Sequence, residues 1–186
     1  MFIRLMLKFI INSVAIIRLF PSFCRLKPER QIAKLLLENG LVISCCESCT
    51  GGLIASRLTD VSGSSGYIDE SLVTYANEAK EKYLNVSSVS IIEHGVVSKQ
   101  IVRQMARGLL KATGCDIAIS TSGIAGPLGG TEKKPIGLIY ICIATKKETK
   151  VLKFNANKHL SRRIMKYTFS QVALQALYKF LKRKYR

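Results

Sequence analysis

Two segments rich in hydroxyl groups and glycine are the candidates for chemistry in this chain. The first is ESCTGG at 47–52, and the second is STSGIAGP at 120–127. Each follows a short apolar run that is typical of a buried strand. Because the carboxyl ends of the strands in an α/β fold face the ligand crevice, we expect both segments to line one site.

The first segment offers a nucleophile and a place for negative charge. Ser48 stands where a strand should end. A helix beginning at Thr50 or Gly51 would present free backbone N–H groups to a phosphate or to the oxyanion of an acyl-transfer intermediate. The N–H groups of Thr50, Gly51 or Gly52 are the expected donors. On spacing alone, however, a simple helix cap and glycine turns are the commoner explanation of the segment.

A serine nucleophile needs a proton acceptor, and the histidines do not supply one. His94 and His159 lie far apart and have no partner at metal-ligand spacing, which also argues against a metal site. A lysine can act instead when burial or a nearby cation lowers its pKa. The residue pattern does not say which of the many lysines would accept the proton. It therefore predicts where the site lies but not which reaction takes place there.

Cysteines provide an alternative chemistry, because Cys46 and Cys49 form a C-x-x-C pair that could be redox-active. Cys45 and Cys142 fall within apolar runs, which favours buried and reduced thiols. We therefore predict a structural role for the cysteines. The six are Cys24, Cys45, Cys46, Cys49, Cys115 and Cys142.

The charge distribution limits the kind of partner. The formal net charge is +17, and most of the excess lies at the two ends of the chain. A basic surface attracts anions, although a solvated, lysine-rich surface is the commoner explanation. No helix-turn-helix, zinc finger or aromatic–basic RNA motif occurs in the sequence, so we expect no specific nucleic-acid partner.

The N-terminal segment is apolar and basic. Its longest uncharged stretch, residues 9–17, is too short to span a bilayer, and it lacks a signal-peptide cleavage site. Three interpretations of this segment remain open: an amphipathic helix at a membrane interface, a targeting peptide, or an upstream translation start that is rarely used. We treat residues 1–28 as an extension outside the fold and residues 29–186 as one domain, and we expect a cytoplasmic protein without firm membrane association.

Helical and strand-like patterns alternate along the chain. Helices are predicted over 29–39, 51–61, 77–84, 99–113 and 160–184, and strands over 41–46, 72–75, 117–121, 136–145 and 149–154. Asn77 and Ser98 are the expected caps of the third and fourth helices. This alternation predicts an α/β fold, a three-layer sandwich with a mixed, mostly parallel sheet covered by helices.

Five strings, in this order, resemble the C-terminal nicotinamide-nucleotide amidohydrolase domain of the CinA family. They are ESCTGG (47–52), LTDVSGSSGY (58–67), VTYANEAK (73–80), HGVVS (94–98) and SGIAGPLGGTEKKPIG (122–137). The resemblance covers roughly residues 31–178. It implies hydrolysis of nicotinamide mononucleotide to nicotinic acid mononucleotide and ammonia, in pyridine nucleotide recycling, without a metal or organic cofactor. We also expect a homo-oligomer.

The resemblance implies roles for particular residues. When the site residues of the family are carried over to the matching strings of this sequence, the nucleophile is Ser48, the base is Lys80, and Tyr75 is the accompanying tyrosine. The implied substrate contacts are Glu47, Thr50, Gly51, Gly52, Ser122, Gly123, Gly126 and Arg162. Lys166 stands where a second arginine is usual, and a lysine there gives up a bidentate phosphate fork for a point charge.

This sequence departs from the family pattern at a few other positions, namely Cys46, Ser71 and Leu128. These departures bear on catalytic efficiency more than on the fold. Two further functions remain open. One is a non-catalytic nucleotide-binding protein that keeps the loops for phosphate binding, and the other is a competence-related protein with weak nucleic-acid affinity, suggested by the basic charge.

Overall fold

A five-stranded mixed sheet lies at the centre of the fold. The computed structural model describes residues 27–185. The helices are α1 (Pro28–Glu38), α2 (Leu53–Thr59), α3 (Asn77–Leu84), α4 (Ser88–His94), α5 (Lys99–Thr113) and α6 (Arg162–Lys184), and a single 3₁₀ turn spans Ser64–Gly66. The strands are β1 (Ile43–Glu47), β2 (Ile68–Val73), β3 (Ile117–Gly123), β4 (Leu138–Thr145) and β5 (Thr149–Asn155).

The strand order is β2-β1-β3-β4-β5. Strand β1 runs parallel to both of its neighbours, β2 and β3. Strand β4 is antiparallel to β3 and to β5, so four of the five strands run in one direction. The predicted mixed sheet, with its antiparallel pair at the end, is therefore confirmed.

Helices cover both faces of the sheet. On one face, α1, α2 and α6 bury residues such as Leu36, Ile54 and Phe169 against the sheet. On the other face, α3 and α5 bury Leu84 and Met105 against it. Burying one such side chain contributes about 1.5–3 kcal/mol. Because both faces are covered, β3 and β4 are buried along nearly their whole length, and the predicted three-layer sandwich is confirmed.

Helix α5 illustrates how the sequence sets an element. The Ser98 hydroxyl accepts a hydrogen bond from the Ile101 N–H at 3.3 Å, which caps the first turn. Gly114 ends the helix in a left-handed conformation with φ 73°. The predicted cap and bounds of this helix are confirmed.

Two local expectations are wrong. Helix α2 begins at Leu53 rather than at Gly51, because Gly51 and Gly52 have φ values of 61° and 89°, which a right-handed helix cannot include. Asn77 is the first residue of α3 but does not cap it; the cap position is Ala76, which makes no side-chain bond.

Two elements were also harder to find in the sequence. Strand β2 begins at Ile68, whereas the predicted strand began at residue 72. The prediction missed the first residues because β2 is an edge strand that is mostly exposed and carries polar side chains there. Helix α4 was not predicted, since it has no buried residue and hence no apolar periodicity.

Residues 1–26, which include Cys24, lie outside the described part of the chain, and so do the expectations about the N-terminal segment. Between residues 27 and 185 there is no helix long and apolar enough to cross a membrane.

Candidate active site

Ser48 directly follows β1 at its carboxyl end. Its backbone N–H donates to the Thr121 carbonyl at 3.2 Å, and its own carbonyl accepts from the Gly51 N–H at 3.1 Å. The side chain is half-buried, and its hydroxyl forms no hydrogen bond with any residue from 27 to 185. The backbone is thus fixed while the hydroxyl stays available.

Lys80 is fully buried on α3. Its ammonium nitrogen donates to the carbonyls of Thr74 and Tyr75, both at 2.9 Å, and of Ala76 at 3.3 Å. No carboxylate pairs with it among the described residues. Lys80 therefore braces the turn between β2 and α3 by main-chain contacts alone.

The pairing of β1 with β2 brings Ser48 next to this turn. Glu47 lies opposite Val73 in the sheet, so Ser48 and Thr74 are the next residue on each strand. No hydrogen bond joins the Ser48 hydroxyl to the Lys80 nitrogen in the described chain. The structure thus places the two predicted catalytic residues at the carboxyl ends of the neighbouring strands β1 and β2, without a hydrogen bond between their side chains.

Burial lowers the pKa of Lys80, because the charged form loses its hydration. Thiolates at Cys49 and Cys46, and to a lesser extent Glu78, would oppose this shift. The thiols are neutral at pH 7, however, because burial raises the pKa of Cys49 to about 12 and that of Cys46 well above its ordinary value. The buried environment therefore favours a neutral amine at Lys80.

The same values bear on the C-x-x-C alternative. Cys46 and Cys49 are free, buried thiols with raised pKa values, whereas reactive cysteines are accessible and have lowered pKa values. The structure favours the predicted structural role over a redox role.

Glu47 turns inward to the start of α2. Its carboxylate, 1% exposed, accepts hydrogen bonds from the backbone N–H groups of Gly52 at 3.0 Å, Ile54 at 3.2 Å and Ala55 at 2.9 Å. A carboxylate at a helix N-terminus also interacts favourably with the helix dipole. The expectation that this helix start offers its N–H groups to a ligand is therefore wrong.

This arrangement narrows the choice of oxyanion donors. Gly51 donates its N–H to Ser48, and Gly52 donates its N–H to Glu47, so neither is available. Of the three expected donors, only the Thr50 N–H has no acceptor within residues 27–185.

Two further predicted contact residues brace the site. The Thr50 and Thr121 hydroxyls lie 2.8 Å apart in a buried hydrogen bond that ties the ESCTGG loop to β3. The Ser122 hydroxyl donates to the Val96 carbonyl at 2.9 Å, which holds the 94–98 segment against the same strand. Sequence reasoning missed Thr121, whose neighbours in a hydroxyl-rich strand end were its only signal.

Arg162, at the start of α6, joins two of the predicted site residues. Its guanidinium donates to the Gly126 carbonyl at 2.7 Å and to the Tyr75 hydroxyl at 2.5 Å. Arg162 and Tyr75 are both exposed, so a ligand can reach them. The structure thus brings together residues far apart in sequence, as expected.

A second basic side chain of α6 lies over the ESCTGG loop. The Lys166 nitrogen is 3.0 Å from the position that a Cβ would take at Gly51. A larger residue at Gly51 would displace it. Lys166 therefore adds positive charge directly beside the Ser48 loop.

A pocket of 400 Å³ opens beside these residues. It is lined by Gly95, Val96, Val97, Gly123, Ile124, Ala125, Leu128, Gly129, Thr131, Lys134 and Arg162. At Gly126, just behind it, φ is 70° and an added Cβ would lie 2.8 Å from Ile136, so the loop needs glycine there. Lys134, which sequence reasoning missed as a site residue, donates to the His94 carbonyl at 2.6 Å.

The family profile of the CinA C-terminal domain matches residues 26–181. This chain belongs to the CinA C-terminal domain family. A CinA-like protein of Chlorobaculum tepidum is 47% identical over 152 residues, covering 80% of this chain and 36% of its own length. A putative competence-damage inducible protein of Caldicellulosiruptor saccharolyticus is 45% identical over 151 residues, covering 81% and 36%.

Solved CinA-type structures share the fold. A competence/damage inducible protein of Agrobacterium tumefaciens has a TM-score of 0.78 and 33% identity, covering 84% of this chain and 96% of its own. The competence damage-inducible protein A of Klebsiella pneumoniae has a TM-score of 0.80 and 29% identity, with the same coverage. The chain thus spans nearly all of these structures but only about a third of the length of the two curated relatives.

Proposed function

We propose that this CinA-type domain hydrolyses the amide of nicotinamide mononucleotide, with Ser48 as nucleophile and Lys80 as base. One observation carries the proposal. The Ser48 hydroxyl, which has no hydrogen-bond partner among residues 27–185, lies at the carboxyl end of β1 beside the turn that holds Lys80, a buried lysine without an acidic partner in the same part of the chain. Such a lysine suits general-base catalysis, because its pKa is lowered towards the working pH.

The reaction follows from these two groups. The Ser48 oxygen attacks the amide carbon while its proton passes to neutral Lys80. Collapse of the tetrahedral intermediate breaks the carbon–nitrogen bond, and Lys80 returns the proton so that ammonia leaves. Water, deprotonated by Lys80, then attacks the acyl-serine. The ester carbon–oxygen bond breaks to release nicotinic acid mononucleotide, and Lys80 returns its proton to the Ser48 oxygen. The Thr50 N–H is the remaining expected donor for the oxyanion, and Tyr75 orients Lys80 through its carbonyl.

The carbonyl contacts of Lys80 set a condition on this mechanism. A neutral amine has two hydrogens and one lone pair, whereas three carbonyls surround the nitrogen. The contact with Ala76 is the longest, at 3.3 Å, and is the one expected to give way as the lone pair turns towards Ser48. Catalytic hydrogen bonds often tighten only when substrate is bound.

The phosphate of the substrate needs another place than the start of α2, since Glu47 occupies that position. We assign it to the glycine-rich loop at 123–131, with positive charge from Arg162 or Lys166. Desolvating a phosphate requires several donors. The dephosphorylated nucleoside should therefore be a poor substrate, and equal turnover of nucleoside and nucleotide would contradict this assignment.

A second candidate is a nucleotide-binding protein without catalysis. The three carbonyls around Lys80 favour it, because they would also suit a permanently charged lysine that only braces the turn. Two relatives are named for competence damage, but their names state no reaction.

The test is ammonia release from nicotinamide mononucleotide, with binding of the nucleotide measured in parallel. We expect turnover by the wild-type chain and its near-complete loss in Ser48→Ala, with the melting temperature unchanged. Ser56→Ala, which removes an exposed hydroxyl from α2, is the matched control and should keep full activity. Binding without ammonia release by the wild type would support the second candidate. A folded, active Ser48→Ala protein would instead indicate a directly activated water.

The homo-oligomer and the cytoplasmic location stay predictions. Light scattering at the assay concentration measures the first, and cell fractionation measures the second.

A further inference from the structure

A groove on the opposite face of the sheet from α6 has a distinct chemical character. It lies between the end of α3 and the middle of α5 and measures 560 Å³, which exceeds the 400 Å³ of the pocket beside Arg162. It is lined by Lys82, Tyr83, Leu84, Asn85, Arg103, Gln104, Arg107, Gly108, Lys111 and Ala112. Four of these side chains are cationic, and none is acidic.

The floor of the groove depends on one glycine. A Cβ at Gly108 would lie 1.9 Å from the Leu84 carbonyl oxygen, so α3 and α5 touch through their backbones. Glycine in a helix interior is destabilising, which makes this close approach a costly feature. The groove is therefore built by helix packing and is not a gap between flexible side chains.

The cations form a ladder along α5. Arg103, Arg107 and Lys111 are spaced four residues apart and so lie on one side of the helix, covering about 12 Å at 1.5 Å per residue. Lys82 faces them from α3, with its ammonium 4.9 Å from the centre of the Tyr83 ring. Within residues 27–185, none of the four forms an ion pair or a hydrogen bond.

Helix electrostatics explain only half of this set. Lys82 and Lys111 lie in the last turns of their helices, where a cation interacts favourably with the dipole. Arg103 and Arg107 lie inside α5, where two like charges four residues apart repel each other. Some basic residues of the described chain have acidic partners, as Arg57 has Glu29 and Lys184 has Glu148. Neither a helix dipole nor an ion pair accounts for the two arginines inside α5.

We propose that this groove binds a small ligand carrying two or more linked phosphates. Arginine guanidinium groups match phosphate oxygens with paired donors, and the volume lies in the range of single small-molecule sites. A single nucleic-acid strand fits less well, because such strands need aromatic platforms for successive bases and the lining of the groove offers one ring, that of Tyr83. The proposal concerns a second site and does not depend on the activity at Ser48.

Calorimetric titration with inorganic tripolyphosphate at about 0.15 M salt tests it, because diffuse surface attraction is screened there. We expect saturable one-site binding by the wild-type chain. The double variant Arg103→Gln/Arg107→Gln should weaken it at least about tenfold, since two charge-assisted contacts are lost. Lys111→Gln should weaken it less.

The matched control is Arg30→Gln/Lys146→Gln, which removes the same charge from exposed positions outside the groove. It should leave the affinity nearly unchanged, and melting curves should show all variants folded. Equal weakening in control and groove variants, or no binding at this salt concentration, would overturn the proposal. A single-stranded oligonucleotide that binds the wild type more tightly than tripolyphosphate, and loses affinity in the groove variant, would also overturn it in favour of a nucleic-acid site.

Discussion

Arg57 and Lys80 are both buried cations, but they are held in opposite ways. Arg57, on α2, donates to the carboxylate of Glu29, to the Ser170 hydroxyl at 2.9 Å and to the side-chain oxygen of Gln171. Lys80 donates only to main-chain carbonyls. Arg57 links α1, α2 and α6, whereas Lys80 braces one turn at the edge of the sheet.

The difference bears on chemistry. The guanidinium of Arg57, paired with a carboxylate and two side-chain oxygens, contributes structure by joining three helices. A buried ammonium without a counter-ion has a lowered pKa, so its two protonation states are closer in free energy. Burial of a cation thus indicates a functional group only when the acidic partner is missing.

The largest expected effects come from replacing each cation by methionine. Lys80→Met should reduce ammonia release by about 10²–10⁴-fold, the usual contribution of a general base, while the protein stays folded. Arg57→Met should instead lower the free energy of unfolding by about 3–5 kcal/mol, because the partly buried Glu29 carboxylate is left without its ion-pair partner. Urea unfolding and kcat measured on the folded fraction separate the two outcomes.

If Arg57→Met does not fold, Arg57→Lys provides a milder test with the same expected direction. Adding Ser48→Ala to Lys80→Met should cost little more than either change alone, because the two groups act as a unit. The comparison fails if Lys80→Met keeps its turnover and only loses stability, since Lys80 would then be structural like Arg57.

The second effect is on pH dependence. Because the folded-state pKa of Lys80 lies below the ordinary value of 10.5, the unfolded chain binds more protons between these two values. The contribution of Lys80 to the free energy of unfolding is therefore fully present above pH 10.5. It is lost as the pH falls through the folded-state pKa. Urea unfolding between pH 7 and 10.5 should show a rise in stability that is smaller in Lys80→Met.

Catalysis should follow the same titration. Since only the neutral amine accepts a proton, kcat/KM for nicotinamide mononucleotide should fall as the pH is lowered through the Lys80 pKa. A profile without this acidic limb would argue against Lys80 as base, whatever its effect on stability.

A smaller effect tests whether Lys80 really lacks a counter-ion. Cys49→Ala should lower stability by about 1 kcal/mol through lost packing, without moving the pH profile, because the thiol is neutral. Cys46→Ala and thiol alkylation of the native protein should likewise leave hydrolysis intact. A shifted profile in Cys49→Ala would mean that a thiolate pairs with Lys80.

The smallest effect is expected from deleting residues 1–25. The family match begins at residue 26 and α1 at Pro28, so both buried cations should keep their surroundings. The free energy of unfolding should change by no more than about 0.5 kcal/mol, and ammonia release should be unchanged. An insoluble or inactive truncation would place the segment within the domain, contrary to the boundary predicted at residue 28.

Much of the fold follows from local pattern. Strand β3 begins with an apolar run, and helix α5 has an apolar face and a serine cap. Both were predicted closely, β3 over 117–121 and α5 over 99–113. Edge strand β2 and helix α4 were not, because exposed elements lack the apolar repeat on which such predictions rest. The family strings supplied the roles of Ser48 and Lys80, which periodicity alone could not.

The sequence by itself determined the order of the helices and strands apart from α4, the two hydroxyl-rich strand ends and the absence of a histidine base at the expected spacing. Only the tertiary structure decided which donors remain available. Glu47 folds back onto the start of α2, and the β1–β2 pairing places Ser48 beside the turn that encloses Lys80. These outcomes depend on which strands become neighbours and on which polar groups must be satisfied once water is excluded, and neither is encoded in local spacing.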